Sequence, residues 1–190
     1  CVTGVQTCAL PIFGTVVEWF ARVDDSPNAG DPYDDPTNYR KYALASVTTH
    51  DLPPTAGYLQ FEHVQLRERL HLLTESVESF QASATAERQA MLNRLRTLGL
   101  ISDEEADDAD SHIPQIVEAM HAMLRKSPSL LIQAALVDGV GERRTQNQPG
   151  TSDQYPNWRI PLADEHGRVV HTDEVFDLPR VKSLAAIMDA

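Results

Sequence analysis

The sequence predicts an α/β fold, the C-terminal portion of a (β/α)8 barrel holding about the last three strands with their helices. Apolar, β-branched runs at Thr15–Phe20, Tyr42–Thr49 and Leu130–Val137 read as strands, and helical periodicity fills the space between the last two. Strands joined through helices pair in parallel. Three strands cannot bury both their faces, and a complete barrel takes about 250 residues, against 190 in this chain.

Thr15-Val16-Val17-Glu18-Trp19-Phe20 opens the pattern as a mostly buried strand. Ala21 to Asn38 follows as a loop, with five acidic residues among Pro, Gly and Asn. Tyr42–Thr49 is the second strand, stopped by His50-Asp51 and Pro53-Pro54. Leu59, Val64, Leu66, Leu70 and Leu73 place a helical region over Thr55–Leu73, with a break near Phe61.

A second helix is expected over Thr85–Leu98, where Met91, Leu95 and Leu98 share a face and Gly99 ends the run. The acidic stretch Asp103–Asp110 reads as a solvated connector or the start of a helix, since carboxylates favour a helix N-terminus. Ile116, Val117, Met120, Met123 and Leu124 define an inward face on a helix over Pro114–Arg125. Leu130–Val137 is nearly continuous in apolar residues, as a strand covered on both faces would be. Beyond Asp138 the chain reads as loop, with a final helix over Pro179–Met188 and Asp177 as its expected cap.

Charge narrows the function. Sixteen Lys and Arg against 28 Asp and Glu leave a net charge of −12, which repels phosphate backbones. The adjacent basic pairs Arg40-Lys41, Arg125-Lys126 and Arg143-Arg144 form no continuous patch, so no nucleic-acid partner is expected. The longest apolar run, Leu130–Val137, is too short to span a bilayer, and no membrane partner is expected. Cys1 and Cys8 are the only cysteines, a usage that fits a reducing, cytoplasmic setting. Residues 1–12 (CVTGVQTCALPI) have no secondary-structure period and resemble translated adapter sequence. They are expected to be a non-native leader, with 13–190 as the barrel portion.

In a parallel barrel the catalytic groups sit at the C-terminal ends of strands. Two ends carry acids, His50-Asp51 and Asp138, and two later segments stand out: Asn147-Gln148-Pro149-Gly150-Thr151 and Tyr155-Pro156-Asn157-Trp158-Arg159. A strand-end Asp taken alone serves equally as a turn former or helix cap, and Trp158 as a core residue.

Taken together the segments are more specific. Thr48-Thr49-His50-Asp51-Leu52-Pro53 with Ala56-Gly57-Tyr58 resembles the Thr-His-Asp-Leu-Pro…Ala-Gly-aromatic motif of the 4-α-glucanotransferases, the amylomaltase or disproportionating-enzyme family (glycoside hydrolase family 77). Asn147–Thr151 and Pro156–Arg159 resemble that family's Asn-x-Pro-Gly-Thr…Pro-Asn-Trp-Arg segment, and Gly14-Thr15…Trp19-Phe20 lies upstream in matching order. The sequence departs from the pattern at Pro53-Pro54-Thr55, where the family commonly has a single Pro before Thr.

The resemblance implies a barrel enzyme without cofactor or metal. Such an enzyme passes α-1,4-glucan segments between maltooligosaccharides by a retaining mechanism. It implies that Asp51 is the carboxylate that stabilises the transition state, with His50, Asn147, Tyr58 and Trp158 as substrate-binding residues. For Asn147 two readings stand, lining the site or shaping its turn. For Tyr58 and Trp158 they are stacking on sugar faces or packing beneath the loops. The nucleophile and the acid/base belong to earlier strands and are absent from this chain, and Glu18 does not match the acid/base motif. The isolated chain is therefore expected to be inactive on maltotriose and poorly soluble or only partly folded.

Two other readings compete. One is a non-catalytic glucan-binding or inert barrel fragment. The other is a di-iron helical protein, since Glu68-x-x-His71 and Glu118-x-x-His121 have the required spacing and Glu87 supplies a third acid. Three apolar strands have no place in that bundle. No zinc spacing, Gly-x-Ser-x-Gly or phosphate-binding glycine loop is present.

Overall fold

The computed structural model describes residues 14–189. The residues read as a leader, with both cysteines, lie outside them, as does Phe13. Three strands, β1 (Gly14–Val17), β2 (Ala43–Ser46) and β3 (Leu131–Gln133), form one sheet in the order β1-β2-β3. Both pairings are parallel, and the register places Val16 beside Ala45 and Ala45 beside Ile132.

The helices between β2 and β3 are α1 (Thr55–Leu59), α2 (Glu62–Arg69), α3 (Val77–Thr97), α4 (Asp103–Asp107) and α5 (Ile113–Leu124). After β3 come the short α6 (Leu136–Val140) and the final α7 (Pro179–Asp189). Alternation along the strands sends Val16, Ala45 and Ile132 toward the helical layer. There they meet a core in which Leu59, Met91, Leu95, Ile116, Met120 and Leu124 are fully buried. The neighbouring register row, Thr15, Leu44 and Leu131, faces away from that core; Leu44 is half-buried and Leu131 is 51% exposed. One sheet face is packed and the other is open.

Several boundaries differ from the sequence expectation. The first strand ends at Val17, and Glu18–Phe20 turns into a 3-10 helix that tucks Glu18 and Trp19 inside. The third strand covers only Leu131–Gln133; Leu136 and Val137 begin α6. An unbroken apolar run does not distinguish strand from helix, and here it serves as both. Leu130 and Leu131 are half exposed, so this strand is not covered on both faces.

The helical region after β2 does break at Phe61, whose φ of 61° ends α1 and starts α2 at a new angle. Arg88 lies over the Phe61 ring at 5.3 Å, on the side of α3. Helix α3 starts at Val77, well before Thr85, because the Ser76 hydroxyl accepts from the Ser79 N–H and caps it. Part of the acidic stretch is helical: Ser102 and Glu105 form a reciprocal capping box at the start of α4. Asp177 meets Lys182 Nζ at 3.2 Å, and the first turn of α7 is instead closed by the Lys182 N–H donating to the Leu178 carbonyl.

Gly57 fixes α1 against the chain that follows α6. A Cβ at this position would lie 2.1 Å from the Arg143 carbonyl oxygen, a backbone atom that cannot swing away. Alanine's helix preference over glycine is about 1 kcal/mol, while overpacking against backbone costs about 3 kcal/mol or more. Gly57→Ala is therefore expected to lower stability despite the helical setting, as a reduced midpoint in urea. An unchanged midpoint would mean that α1 slides freely past Arg143.

Candidate active site at the C-terminal edge of the sheet

The chain leaves β2 through Val47 and Thr48, both buried, and then turns sharply outward. The Thr48 hydroxyl donates to the Pro53 carbonyl at 2.9 Å, and the Leu52 N–H donates to the Thr49 carbonyl at 3.2 Å. These bonds close a tight loop whose tip is His50-Asp51. Both tip side chains are open to solvent, at 66% for His50 and 52% for Asp51. His50 Nε2 lies 3.3 Å from one carboxylate oxygen, and Asn147 Nδ2 donates to the other at 2.6 Å. Two anchors on opposite oxygens fix the plane of the Asp51 carboxylate without covering it.

Asn147 reaches that position from 96 residues away because its own turn is held from within. The Gln148 N–H donates to Asn157 Oδ1 at 2.8 Å, Asn157 Nδ2 donates to the Thr151 hydroxyl at 2.9 Å, and that hydroxyl donates to the Gln148 carbonyl at 2.7 Å. Gly150 supplies the left-handed turn residue at φ 85°. The Tyr155 hydroxyl donates to the Thr145 carbonyl at 2.6 Å and pins the base. The turn's own bonds are made by its neighbours, and the Asn147 side chain reaches out to Asp51.

Trp158 follows, with a left-handed φ of 61° that throws its ring outward. The ring is 63% exposed and its centroid lies 5.6 Å from that of His50. It is not a core residue. With Thr49, His50, Gln133 and Leu136 it walls a cavity of about 310 Å³ above the ends of β2 and β3. Tyr58 does not join this group. Its ring is stacked between Trp19 and His63 at 4.2 Å on each side, and its hydroxyl donates to Glu87. Glu87 also accepts from Arg22 at 2.9 Å.

Asp138 is near the sheet's C-terminal edge but is not a free acid there. It lies in α6, 2% exposed, where Oδ1 accepts from the Thr55 N–H and Oδ2 from the Thr55 hydroxyl, both at 2.7 Å. His121 Nε2 is 3.7 Å away, with its Nδ1 on the Val117 carbonyl. Burial pushes the Asp138 carboxyl up, against the pull of His121 and of the Thr55 bonds. Its position at the first residue of α1 makes it the anchor of the helix that follows the Asp51 loop. No sequence spacing signals this pair, since 83 residues separate its members.

The two Glu-x-x-His pairs do not assemble. His121 is spent on Val117 and Asp138, and Glu68 and His71 are exposed at the end of α2. Among the described residues no three His, Cys, Asp or Glu side chains form a metal-ligand group. No described helix is long and apolar enough to cross a membrane.

His63 is a buried group that the sequence did not single out. Burial and the nearby Arg67 hold its imidazole down at about 4. An unfolded histidine takes up its proton near pH 6.5, so between 6.5 and 4 the unfolded chain binds a proton that the folded one refuses. Stability should fall through that window by about 1.4 kcal/mol per pH unit from this group. Urea titrations at pH 7 and 4.5 on the wild type and on His63→Phe should show a flatter dependence in the variant. Equal slopes would contradict it.

Residues 5–166 match the family model described as 4-alpha-glucanotransferase. The chain is 45% identical over 179 residues to the 4-alpha-glucanotransferases of Mycobacterium tuberculosis and Mycobacterium bovis, covering 94% of this chain and 24% of each relative. The enzyme of the same name from Haemophilus influenzae is 28% identical over 156 residues, 80% of this chain and 21% of that one. The crystal structure of amylomaltase from Corynebacterium glutamicum superposes with a TM-score of 0.83 at 37% identity, over 93% of this chain and 25% of that one. The chain spans about a quarter of the length of the relatives it matches.

Proposed function

The chain belongs to the 4-alpha-glucanotransferase family, and from that premise we propose that it is the C-terminal part, 13–190, of a (β/α)8 barrel enzyme. That enzyme transfers α-1,4-glucan segments between maltooligosaccharides. The observation that carries the reading is the Asp51 carboxylate, clamped through both oxygens by Asn147 and His50 yet open to solvent at the C-terminal edge of a parallel sheet. The open sheet face with Thr15, Leu44 and Leu131 supports it from below, as the wall of a barrel interior that further strands complete.

In a retaining transfer a nucleophilic carboxylate attacks C1 of the donor sugar while an acid protonates the departing glycosidic oxygen. The acceptor's 4-hydroxyl then displaces the enzyme carboxylate and yields its proton to the same acid/base group. In this reading both groups come from barrel strands other than the three described here. Asp51 is the third acid: it accepts hydrogen bonds from sugar hydroxyls and stabilises the positive charge that grows on the ring. Such a contact counts toward rate because it is stronger in the transition state than in the bound substrate. Asn147 keeps the carboxylate oriented, His50 donates to a hydroxyl beside it, and the exposed Trp158 ring offers a stacking face. Tyr58 acts as a packing residue behind the loop. A cytoplasmic setting suits such a soluble sugar-transferring enzyme.

Incubation with maltotriose tests the reading. The full-length enzyme is expected to release glucose and build longer maltodextrins, whereas the isolated 190-residue chain should form neither, since it lacks the nucleophile and the acid/base. Disproportionation by the isolated chain would mean that the carboxylates are wrongly assigned.

Asn147→Ala in the full-length enzyme should raise KM and lower kcat together, by about tenfold in kcat/KM, the effect of one charge-assisted hydrogen bond. No change would assign Asn147 to the turn alone.

A further inference from the structure

Beside the Asp51 loop opens a second, larger cavity of about 540 Å³, within the size range of small-molecule sites. It runs from Asp51 and Gln148 away from the sheet edge, between the loop after β1 and the facing sides of α2 and α3. Three rings line one wall: Tyr58 stacks on His63, and Phe80 stands edge-on to His63 at 5.9 Å. The Arg67 guanidinium sits 5.5 Å from the Phe80 centroid, at the outer end of the row.

The inner rings are committed to the core, but Phe80 is only half-buried and Arg67 is exposed, so both present their surfaces to the cavity. An anionic ligand would meet Asp51, Glu75 and Glu87 on the same walls. A purely apolar one would cover the charged side chains of Arg67 and Glu75 without offering them a hydrogen bond. A pyranose ring satisfies both kinds of wall, with C–H faces for the aromatic ring and hydroxyls at its rim for the charged side chains.

Building on the glucan reading, we infer that this cavity is an extended glucan subsite, in which Phe80 and Arg67 hold sugar units distant from the bond being cut. Asp51 is itself among the residues lining this cavity, so a chain bound at the reacting centre can extend into it. Phe80 and Arg67 set chain-length preference; they touch none of the reacting atoms.

The test compares maltotriose with maltoheptaose as substrates of the full-length enzyme. Phe80→Leu, which keeps apolar bulk but removes the ring, and Arg67→Ala, at an exposed position, are each expected to lower kcat/KM on maltoheptaose about tenfold through KM. On maltotriose each should stay within about twofold. Phe80→Tyr should restore the preference for the longer substrate. Equal losses on both substrates, or none on either, would overturn the subsite while leaving transfer intact. A wild-type enzyme that transfers no glucan at all would instead remove the glucan reading, and the subsite with it.

Discussion

Asp51→Asn in the full-length enzyme is expected to lower glucan transfer about a hundred- to a thousandfold while the fold and glucan binding persist. The substitution removes the negative charge but keeps the side chain's size and its ability to lie between Asn147 and His50. The half-exposed loop tip carries no packing that the change would disturb. In the proposed role, what is lost is the attraction between a carboxylate and a sugar ring whose positive charge peaks at the transition state, so kcat should fall far more than KM rises. Circular dichroism and a maltoheptaose binding curve should match the wild type. Turnover within a few-fold of the wild type would make Asp51 a structural turn residue.

Asp138→Ala is expected to be the most destabilising single change in the chain, by about 3–5 kcal/mol. It would leave the Thr55 N–H and hydroxyl unpaired at a fully buried site, with His121 facing the resulting void. Asp138→Asn, which still offers one carbonyl oxygen to Thr55, should cost less, about 1–3 kcal/mol. The loss should appear as a lowered Tm. It should also reach activity, because Thr55 opens the helix that braces the loop bearing Asp51. Equal stability of the alanine variant would mean that α1 is anchored elsewhere, Gly57 on Arg143 being the next contact to examine.

Local patterns reported some elements well and others poorly, for identifiable reasons. The parallel sheet was legible because three apolar runs separated by helical periodicity admit few other arrangements. The extent of β3 was not: Leu130 to Val137 is uniformly apolar, and only the Thr55–Asp138 bonds and the contact with α7 decide that its second half coils. Helix α3 extends back to Ser76 through Ser79, Gln81, Ser83 and Thr85, polar residues that mimic a loop until the Ser76 cap is seen. The acidic run hid a Ser-x-x-Glu capping box for a similar reason.

For the site, the motif around His50-Asp51 and the Asn147–Trp158 segment could each be found in the sequence. Their meeting could not, because the Asn147–Asp51 bond spans most of the barrel portion and depends on the Asn157–Thr151 bonds that shape the turn. For Tyr58 the sequence left stacking on a sugar and packing beneath the loops both open; its ring lies between Trp19 and His63 and its hydroxyl donates to Glu87, contacts that no local pattern shows. Asp138 was visible as a strand-end acid, but whether such an acid faces solvent or caps a buried helix is settled only by what lies opposite.

The most direct test of the central claim is to supply the full-length enzyme with maltotriose as donor and carbon-13 glucose as acceptor, and to read the new linkage by NMR. Retaining transfer predicts labelled glucose at the reducing end of the products, joined through α-1,4 bonds alone. A β-linked product, or unlabelled products formed only by hydrolysis, would contradict it.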